Sequence, residues 1–418
     1  MNFELGYGKS GIPVEIQDDN FLGLIVPNTV NVPAGGRAEV KRSLEQPIGA
    51  ERLSRIVNQG ERVVIVTSDI TRPVPSWDVC PPIIEELELA GVPDENITIV
   101  FAVGSHRHHS TEEMIRLVGQ DIFKRIQCID SDNTDFVHVG VSRAGTSYDV
   151  FSVVANADRV ICVGNIEFHY FAGYSGGAKA IMPGVCTRSA IQSNHSMMVE
   201  QNAAAGILES NPVREDIDEV GEHQRIDYIV NVVLDEHKKI LKSYAGHYIE
   251  AHRAGCAFLD YLYKVPIMEK ADIVVVSVGG YPKDINLYQA QKGLDNAKYA
   301  VKDGGVIIVC ASCAEGFGEN CFERWMKEMM PAERVEEIKR NFQLGGHKAA
   351  AIAMVLQKAD IFLVSDLPEE LVKSIHLNPC NDTVDALERA YKKCGEGAKV
   401  LIMPYGGSTL PCMRKNLR

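Results

Sequence analysis

The chain has 418 residues, 45% hydrophobic and 24% charged, which is enough for a sizeable core and for two domains. Its formal net charge of −13 argues against nucleic acid as a partner, because phosphate-binding surfaces need clustered Lys and Arg. No secretory leader is visible and no apolar run approaches the roughly 20 residues of a membrane helix. We therefore expect no membrane association, and eleven scattered cysteines favour a reducing cytoplasm over a disulfide framework.

Short β-rich runs alternate with helical patterns in the first half of the chain. The runs 62–68, 97–103 and 158–164 predict buried parallel strands, and a helix is predicted around 82–90. Alternation of strand, helix and strand indicates an α/β sheet.

A second series of strands is predicted at 272–278, 305–310, 360–364 and 399–403. Helices between them are predicted at 289–301, 319–342 and 383–394. We therefore predict two α/β domains with an active-site cleft between them. The N-terminal domain is expected at 1–266 and the C-terminal domain at 267–405, with 406–418 lacking a strand and packed back on the first domain.

Asp69 and Arg72 follow the first predicted strand in a loop that contains two prolines. Open α/β sheets bind their ligands at the carboxyl ends of their strands. A fixed guanidinium suits bidentate capture of a carboxylate or phosphate, and Asp69 would hold the arginine or a ligand hydroxyl. An ordinary Asp–Arg pair within the loop explains the same two residues equally well.

Three histidines, His106, His108 and His109, follow the second predicted strand and precede a helix start at Ser110 or Thr111. An imidazole can both take and give a proton near neutral pH. We expect His106 to lie at the strand end facing the cleft, and His108 and His109 to be exposed loop residues.

The segment after the third strand combines a histidine, a small-residue loop, a lysine and a second histidine. His169 precedes the run Ser175-Gly176-Gly177-Ala178, Lys179 follows it, and His195 comes sixteen residues later. Glycines bring backbone N–H groups close to an anion, and the lysine adds a point charge. The series indicates a site for a phosphorylated group, with imidazoles for a metal or for proton transfer. The spacing is not that of a Walker A loop, and a single histidine on a helix is more often structural.

The second half of the chain carries two further polar patterns. Tyr288, Gln289 and Lys292 share a face at the start of a predicted helix, where they would close over an anionic ligand or form a solvated surface. Cys310 and Cys313 follow a strand as in redox motifs, but no second CxxC or HxxxH supplies four zinc ligands. A packing role is the favoured interpretation of the two cysteines.

Taken together, these motifs resemble the nickel-dependent lactate racemase family over essentially the whole chain. The matching segments are SDITRP (68–73), GSHR (104–107), FHYFAGYSGGAKAIMPG (168–184), NH (194–195) and YQAQKG (288–293). Members of the family carry nickel in pyridinium-3,5-bisthiocarboxylic acid mononucleotide, a pincer nucleotide that separate biosynthetic enzymes make. The resemblance implies an isomerase that inverts Cα of a 2-hydroxy acid, such as lactate, malate or a sugar acid. It also implies hydride transfer to and from the cofactor.

The resemblance assigns roles to the candidate residues of the N-terminal, cofactor-binding and catalytic domain. It implies that His106 and His169 are general bases on opposite faces of the substrate. It implies that Lys179 binds the cofactor covalently through a thioamide and that His195 ligates nickel. Further site residues are predicted at the cofactor and at the substrate: Asp69, Ser175, Gly176 and Gly177 at the cofactor, and Arg72, Tyr288, Gln289 and Lys292 at the substrate.

Two other functions remain open at this point. A cofactor-carrying or binding protein without racemase activity would keep Lys179 and His195 but lack the paired bases. A zinc-dependent hydrolase or redox protein would use the histidine cluster with Cys310 and Cys313. Metal analysis separates these functions, because the racemase requires nickel with an attached nucleotide and the zinc or redox protein requires zinc on cysteines.

Overall fold

A computed structural model describes residues 1–28, 32, 35–104, 106–235 and 237–414. It divides into two compact units. The N-terminal unit is residues 30–260, and the C-terminal unit is residues 1–29 together with 261–418. Over the described ranges, no helix combines the length and the apolar character needed to span a bilayer.

The secondary-structure elements are numbered in chain order. The strands are β1 (Asn2–Tyr7), β2 (Ser10–Glu15), β3 (Phe21–Leu24), β4 (Val63–Ser68), β5 (Ile97–Ala102), β6 (Gln127–Asp130), β7 (Phe136–Val141), β8 (Ser147–Phe151), β9 (Arg159–Asn165), β10 (Phe168–His169), β11 (Gly173–Tyr174), β12 (Tyr228–Leu234), β13 (Ile240–Gly246), β14 (Lys264–Ile267), β15 (Ala271–Ser277), β16 (Val301–Cys310), β17 (Asp360–Val364), β18 (Asn378–Cys380), β19 (Val400–Met403) and β20 (Leu410–Met413). The α-helices are α1 (Gly36–Glu45), α2 (Leu53–Ile56), α3 (Ser76–Leu89), α4 (Thr111–Val118), α5 (Gln120–Arg125), α6 (Ser152–Ala155), α7 (Arg188–Ser196), α8 (Pro212–His223), α9 (Glu250–Tyr263), α10 (Leu287–Ala297), α11 (Asn320–Glu328), α12 (Pro331–Arg340), α13 (Gly346–Leu356), α14 (Glu369–Ser374) and α15 (Thr383–Cys394).

The N-terminal unit is built on a six-stranded sheet of order β13-β12-β9-β4-β5-β6. All neighbours in it are parallel except β12 and the edge strand β13. The predicted strands at 62–68, 97–103 and 158–164 are confirmed as β4, β5 and β9. Their apolar runs are continuous because the strands are buried on both faces, and α1 and α3 pack into the same core.

The order of these strands creates a topological switch point. From β4 the chain moves outward to β5 and β6, whereas β9 lies on the opposite side of β4. The carboxyl ends of β4 and β9 therefore flank the point where the sheet order reverses. Open α/β sheets bind ligands in the crevice outside such a point. Asp69 follows β4, and His169 lies in the short β10–β11 hairpin after β9.

The C-terminal unit contains a second six-stranded sheet, of order β18-β17-β16-β15-β19-β3, with every neighbouring pair parallel. The strands predicted at 272–278, 305–310, 360–364 and 399–403 are confirmed as β15, β16, β17 and β19. The single helix predicted at 319–342 is wrong, because α11 ends at Glu328 and α12 begins at Pro331. A proline lacks the backbone N–H that a continuous helix needs, and it fits the first position of a new helix.

The structure divides the chain differently from the prediction of 1–266 and 267–405. Strand β3 pairs with β19, and Leu5, Val14 and Ile16 of the N-terminal segment are buried in the core of the C-terminal unit. The segment predicted to lack a strand contains β20, which pairs in parallel with β14. Residues 406–414 therefore belong to the C-terminal unit, and 415–418 lie outside the described residues.

Candidate active site

Asp69 lies directly after β4 and is only 3% exposed. Nδ1 of His106 is 2.8 Å from Asp69 Oδ2, and the Thr71 hydroxyl donates to Asp69 Oδ1 at 2.9 Å. Burial raises the pKa of Asp69, but the hydrogen bond and charge of His106, the bond from Thr71 and the charge of Arg72 outweigh it. The pKa of Asp69 is therefore below its ordinary value, and the group is a carboxylate.

The carboxylate of Asp69 determines the tautomer of His106. An ionised carboxylate can only accept, so the neutral imidazole donates its Nδ1–H to Asp69. Nε2 then carries the lone pair. An imidazole oriented in this way by a buried carboxylate is suited to act as a general base.

Arg72 follows in the same loop and is exposed. Asp69 is paired with His106 and Thr71, so the simple Asp–Arg loop pair considered from the sequence is not what the structure contains. Among the described residues, no carboxylate lies within ion-pair distance of Arg72. Its positive charge influences Asp69, His169 and Lys179, and its exposed guanidinium can receive an anionic ligand.

The two other histidines of the cluster differ from each other. His108 is exposed as predicted, with 66% of its side chain accessible. The prediction for His109 is wrong, because its side chain is only 1% exposed. The helix start is confirmed, since Ser110 caps α4 with a capping box.

His169 lies in the β10–β11 hairpin and is half-buried. Its Nδ1 accepts the Ala172 N–H at 3.2 Å, so the neutral ring carries its proton on Nε2. Burial, followed by the positive charges of Lys179 and Arg72 and the presence of His195, lowers the pKa of His169 well below its ordinary value. The imidazole is therefore neutral near pH 7, with a tautomer opposite to that of His106.

Phe171 is the aromatic centre around which the predicted residues converge. Its ring centroid lies 4.5 Å from that of His169 and 5.0 Å from that of His195, with edge-to-face geometry. The Lys179 Nζ lies 6.0 Å from the same centroid. Phe171 is 2% exposed. The structure thus brings His169, Lys179 and His195 together around Phe171, a residue whose role no sequence pattern indicates.

The small-residue loop before Lys179 is held mainly by its own neighbours. The Ser175 hydroxyl donates to Asn165 O at 2.7 Å and accepts the N–H of Glu167 at 2.9 Å. The Gly177 N–H donates to Asn231 Oδ1 at 2.7 Å. Gly176 has a φ of +79°, and a Cβ there would come 2.7 Å from that same amide oxygen. Backbone geometry and close packing both require glycine at position 176.

Lys179 lies in the 3-10 turn Gly177–Ala180. Burial lowers the pKa of its ammonium well below the ordinary value, and the charges of Arg214 and Arg72 lower it further, while Glu167 opposes them. A lowered pKa makes the unprotonated amine, which is the nucleophilic form, more accessible. This property is the one that covalent attachment of a ligand requires.

A buried side-chain network supports the loop from the other side, and no sequence pattern pointed to it. Arg214, which is 0% exposed, donates from Nε to Ala172 O at 3.1 Å and also bonds Tyr174 O. His252 donates from Nε2 to Ser175 O at 2.8 Å, while Arg253 donates to its Nδ1. Burial, then the charge of Arg214, lowers the pKa of His252 to about 3.

His195 lies on α7 and is 7% exposed. The Asn194 amide nitrogen donates to Asp216 Oδ2 at 2.7 Å and to Val213 O, which fixes the orientation of the amide. Asn194 Oδ1 lies 2.8 Å from Nδ1 of His195 and accepts its hydrogen. The neutral ring therefore carries its lone pair on Nε2, which is the arrangement that orients histidine ligands of metals.

The side chains around Phe171 offer few ligands for a metal ion. Over the described residues, no group of three or more His, Cys, Asp or Glu side chains could hold a metal ion. One oriented imidazole, that of His195, and the Lys179 amine lie around the same ring, that of Phe171. His195 can supply one ligand to a metal, and Lys179 can supply one bond to a bound group.

The predicted residues of the C-terminal unit lie at the start of α10, which is capped by the Asn286 side chain. Gln289 is half-buried and Lys292 is exposed. Tyr288 is half-buried, and Lys348 Nζ lies 3.9 Å from its ring centroid and donates to its carbonyl oxygen. On the predicted shared face, the Tyr288 ring is packed against Lys348, while Gln289 and Lys292 are available to a ligand to a greater extent.

Cys310 and Cys313 are both buried, and no disulfide joins them. Burial raises the pKa of Cys310 to about 12 and also raises that of Cys313. Protonated buried thiols are poor nucleophiles and poor metal ligands. These observations support the packing role and weaken the redox or zinc alternative.

Family models and individual relatives indicate the same protein family. The family models for the lactate racemase N-terminal domain and the lactate racemase C-terminal domain match residues 7–206 and 267–410. Lactate racemase from Thermoanaerobacterium thermosaccharolyticum is 34% identical, with 98% of this chain and 99% of that protein covered. Lactate racemase from Lactiplantibacillus plantarum is 33% identical, with 96% and 98% covered.

Solved structures agree with these matches. The lactate racemase apoprotein from T. thermosaccharolyticum superposes with a TM-score of 0.89 at 33% identity, covering 99% of this chain and 100% of that one. A Thermotoga maritima protein superposes with a TM-score of 0.64 at 18% identity, which shows a common fold alone.

Proposed function

This chain belongs to the lactate racemase family, and on that premise we propose that it inverts Cα of lactate or a related 2-hydroxy acid. Family membership makes the chain an isomerase. The observation that carries the proposal is the pair of histidines His106 and His169 at the switch point of the N-terminal sheet, in which Nδ1 faces a carboxylate in one ring and accepts a backbone N–H in the other. A protein that only carried a cofactor would not need two such groups beside an accessible arginine.

The protein side chains have separate tasks in this proposal. Arg72 binds the substrate carboxylate in a bidentate manner and fixes the position of Cα. His106 takes the hydroxyl proton through Nε2, and Asp69 stabilises the imidazolium that forms. His169 gives the product hydroxyl group its proton from Nε2 as an imidazolium, and for the opposite enantiomer it takes that proton as the base. Both roles place a hydrogen on Nδ1 and therefore require the ring to release the Ala172 N–H.

We propose that Lys179 carries the nickel-pincer nucleotide through its amine and that His195 supplies the protein ligand to nickel. The lowered pKa of Lys179 and the bond from His195 to Asn194 support these assignments. When bound, this group supplies an acceptor for the Cα hydrogen as hydride. That chemistry explains why the histidines need to move only the proton of the hydroxyl group.

The remaining site assignments are also part of the proposal. Asp69, Ser175, Gly176 and Gly177 shape the cofactor pocket, the last three mainly by fixing the loop that ends at Lys179. Tyr288, Gln289 and Lys292 contact the substrate. Cofactor-biosynthesis enzymes are the expected partners, and a reducing cytoplasm is the expected location, since none of the eleven cysteines is in a disulfide.

A screen of 2-hydroxy acids tests the proposal. Protein produced together with the cofactor-making enzymes is incubated with single enantiomers of lactate, malate and sugar acids, and the products are separated on a chiral column. We expect interconversion of lactate enantiomers or of a larger analogue. Intact mass should exceed that of Lys179→Ala by one cofactor. No inversion of any acid by protein that carries the cofactor would contradict the proposal.

A further inference from the structure

His109 joins the two loops that carry the Asp69–His106 pair. Its Nε2 accepts the N–H of Ile70 at 3.0 Å, and Ile70 is the residue directly after Asp69. Its Nδ1 lies 2.5 Å from Asp130 Oδ1, and its backbone N–H donates to Asp130 Oδ2 at 2.7 Å. Asp130 ends β6.

The packing of His109 leaves it little freedom. Its side chain is 1% exposed and that of Asp130 is 5% exposed. Its ring lies edge-on to Phe101 of β5 at 5.3 Å between centroids. The side chain therefore ties together the carboxyl ends of three neighbouring strands, β4, β5 and β6.

The bond from Ile70 to His109 runs beside the bond from His106 to Asp69. Both hydrogen bonds connect the loop after β4 to the loop after β5. Ile70 is one residue after Asp69 in the first loop, and His109 is three residues after His106 in the second. We propose that His109 is a positioning residue that fixes the spacing of these loops and so keeps Asp69 on Nδ1 of His106. The role of His106 as a catalytic base rests on the proposed function, whereas the effect of His109 on the His106–Asp69 hydrogen bond does not.

Two substitutions separate the two hydrogen bonds of His109. His109→Gln places an amide oxygen near the position of Nε2 and can still accept from Ile70. His109→Asn places an amide nitrogen near the position of Nδ1 and can donate to Asp130 but cannot reach Ile70. His138→Asn is the matched control, because His138 also bonds a carboxylate, Asp149 at 2.8 Å, but is 54% exposed.

The first readout is the Nδ1–H resonance of His106 in cofactor-free, ¹⁵N-histidine-labelled protein, assigned by its loss in His106→Gln. We expect His109→Asn to shift or broaden this resonance as Asp69→Asn does, and His109→Gln and His138→Asn to leave it unchanged. The second readout is racemisation, where His109→Asn should lower kcat in both directions about tenfold or more. His109→Gln should restore most of that loss.

Each outcome decides the proposal. An unshifted His106 resonance and an unchanged kcat in His109→Asn would overturn it, and so would equal losses in the Gln and Asn variants. If the variants do not fold, the wild-type spectrum still tests it, because His109 must show the Nδ1–H tautomer. A proton on Nε2 of His109 would exclude the bond from Ile70. These spectra need neither cofactor nor substrate, so they stand even if no acid is racemised.

Discussion

Lys179 shows how the surroundings of one residue change its chemistry. An exposed lysine is protonated near pH 7, whereas burial and the charges of Arg214 and Arg72 lower the pKa of Lys179. The sequence indicated the lysine through its position after the glycine loop. It could not indicate the lowered pKa, because Arg214 reaches the loop from α8.

The lowered pKa of Lys179 has a cost for stability in the cofactor-free protein. The folded protein binds the Lys179 proton less tightly than the unfolded chain, so this cost falls as pH rises toward the unfolded pKa of about 10.4. We expect Lys179→Met to raise Tm at pH 7 by about 2 °C or more, and the difference to shrink by pH 9.5. Calorimetry measures both values. The exposed Lys41→Met is the control, and a lower Tm for Lys179→Met at pH 7 would contradict the expectation.

Arg72 is the residue assigned to the substrate carboxylate, and its task depends on shape as well as charge. Lysine keeps the charge but cannot form a bidentate bond, and a charge-assisted hydrogen bond contributes about 1.5–3 kcal/mol. We therefore expect Arg72→Lys to lower kcat/KM by about tenfold or more. Arg143→Lys, at a side chain that is 74% exposed, should change nothing. Equal kcat/KM for wild type and Arg72→Lys would assign Arg72 a structural role.

At the scale of elements, the loop that ends at Lys179 depends on glycine for two separate reasons. Gly176 needs a positive φ, and a Cβ would come 2.7 Å from Asn231 Oδ1 and 3.2 Å from Asn165 O. Gly60 has a φ of +91°, but a Cβ there would meet nothing within 4 Å. An alanine at position 60 would therefore introduce backbone strain alone, whereas an alanine at position 176 would introduce both strain and steric overlap.

We expect Gly176→Ala to lower the free energy of unfolding by at least about 1 kcal/mol more than Gly60→Ala, because overpacking adds to strain. Urea unfolding monitored by hydrogen exchange in β9 and the following loop gives both values. Cofactor incorporation should fall in Gly176→Ala alone. Equal losses in the two variants would show that the contact with Asn231 is easily relieved.

The central elements were predictable from the sequence because local patterns specify them. The runs around Val63–Ser68 and Ala271–Ser277 are rich in valine and isoleucine, and Ser110 carries a capping box. The break between α11 and α12 was missed although Pro331 marks it. His109 was predicted to be exposed because its partners, Ile70 and Asp130, are remote in the sequence.

At the scale of the whole molecule, the main difference from the prediction is the placement of residues 1–29. They pack in the C-terminal unit, where β3 extends the sheet beside β19. A boundary prediction from the sequence assumes that each domain is one continuous segment, and only long-range contacts show otherwise. The family models match residues 7–206 and 267–410, and these bounds do not by themselves show that the N-terminal segment packs in the C-terminal unit.

The placement of residues 1–29 can be measured through Leu5, which is 1% exposed in the core of the C-terminal unit. Leu5→Ala should cost about 2–5 kcal/mol, because it leaves a cavity among buried side chains. Hydrogen exchange should become faster in β15, β16 and β19, while β4, β5 and β9 of the N-terminal unit remain protected. Faster exchange confined to the N-terminal strands would contradict the division.

In the proposed reaction the histidines move the hydroxyl proton and not the hydrogen on Cα. The most direct test is racemisation of a 2-hydroxy acid deuterated at Cα, such as [2-²H]lactate, by the cofactor-loaded enzyme in ordinary water. We predict that the inverted product keeps deuterium at Cα and that His106→Gln and His169→Gln each lose activity in both directions. Replacement of that deuterium by solvent hydrogen, or undiminished inversion without either histidine, would contradict this division of tasks.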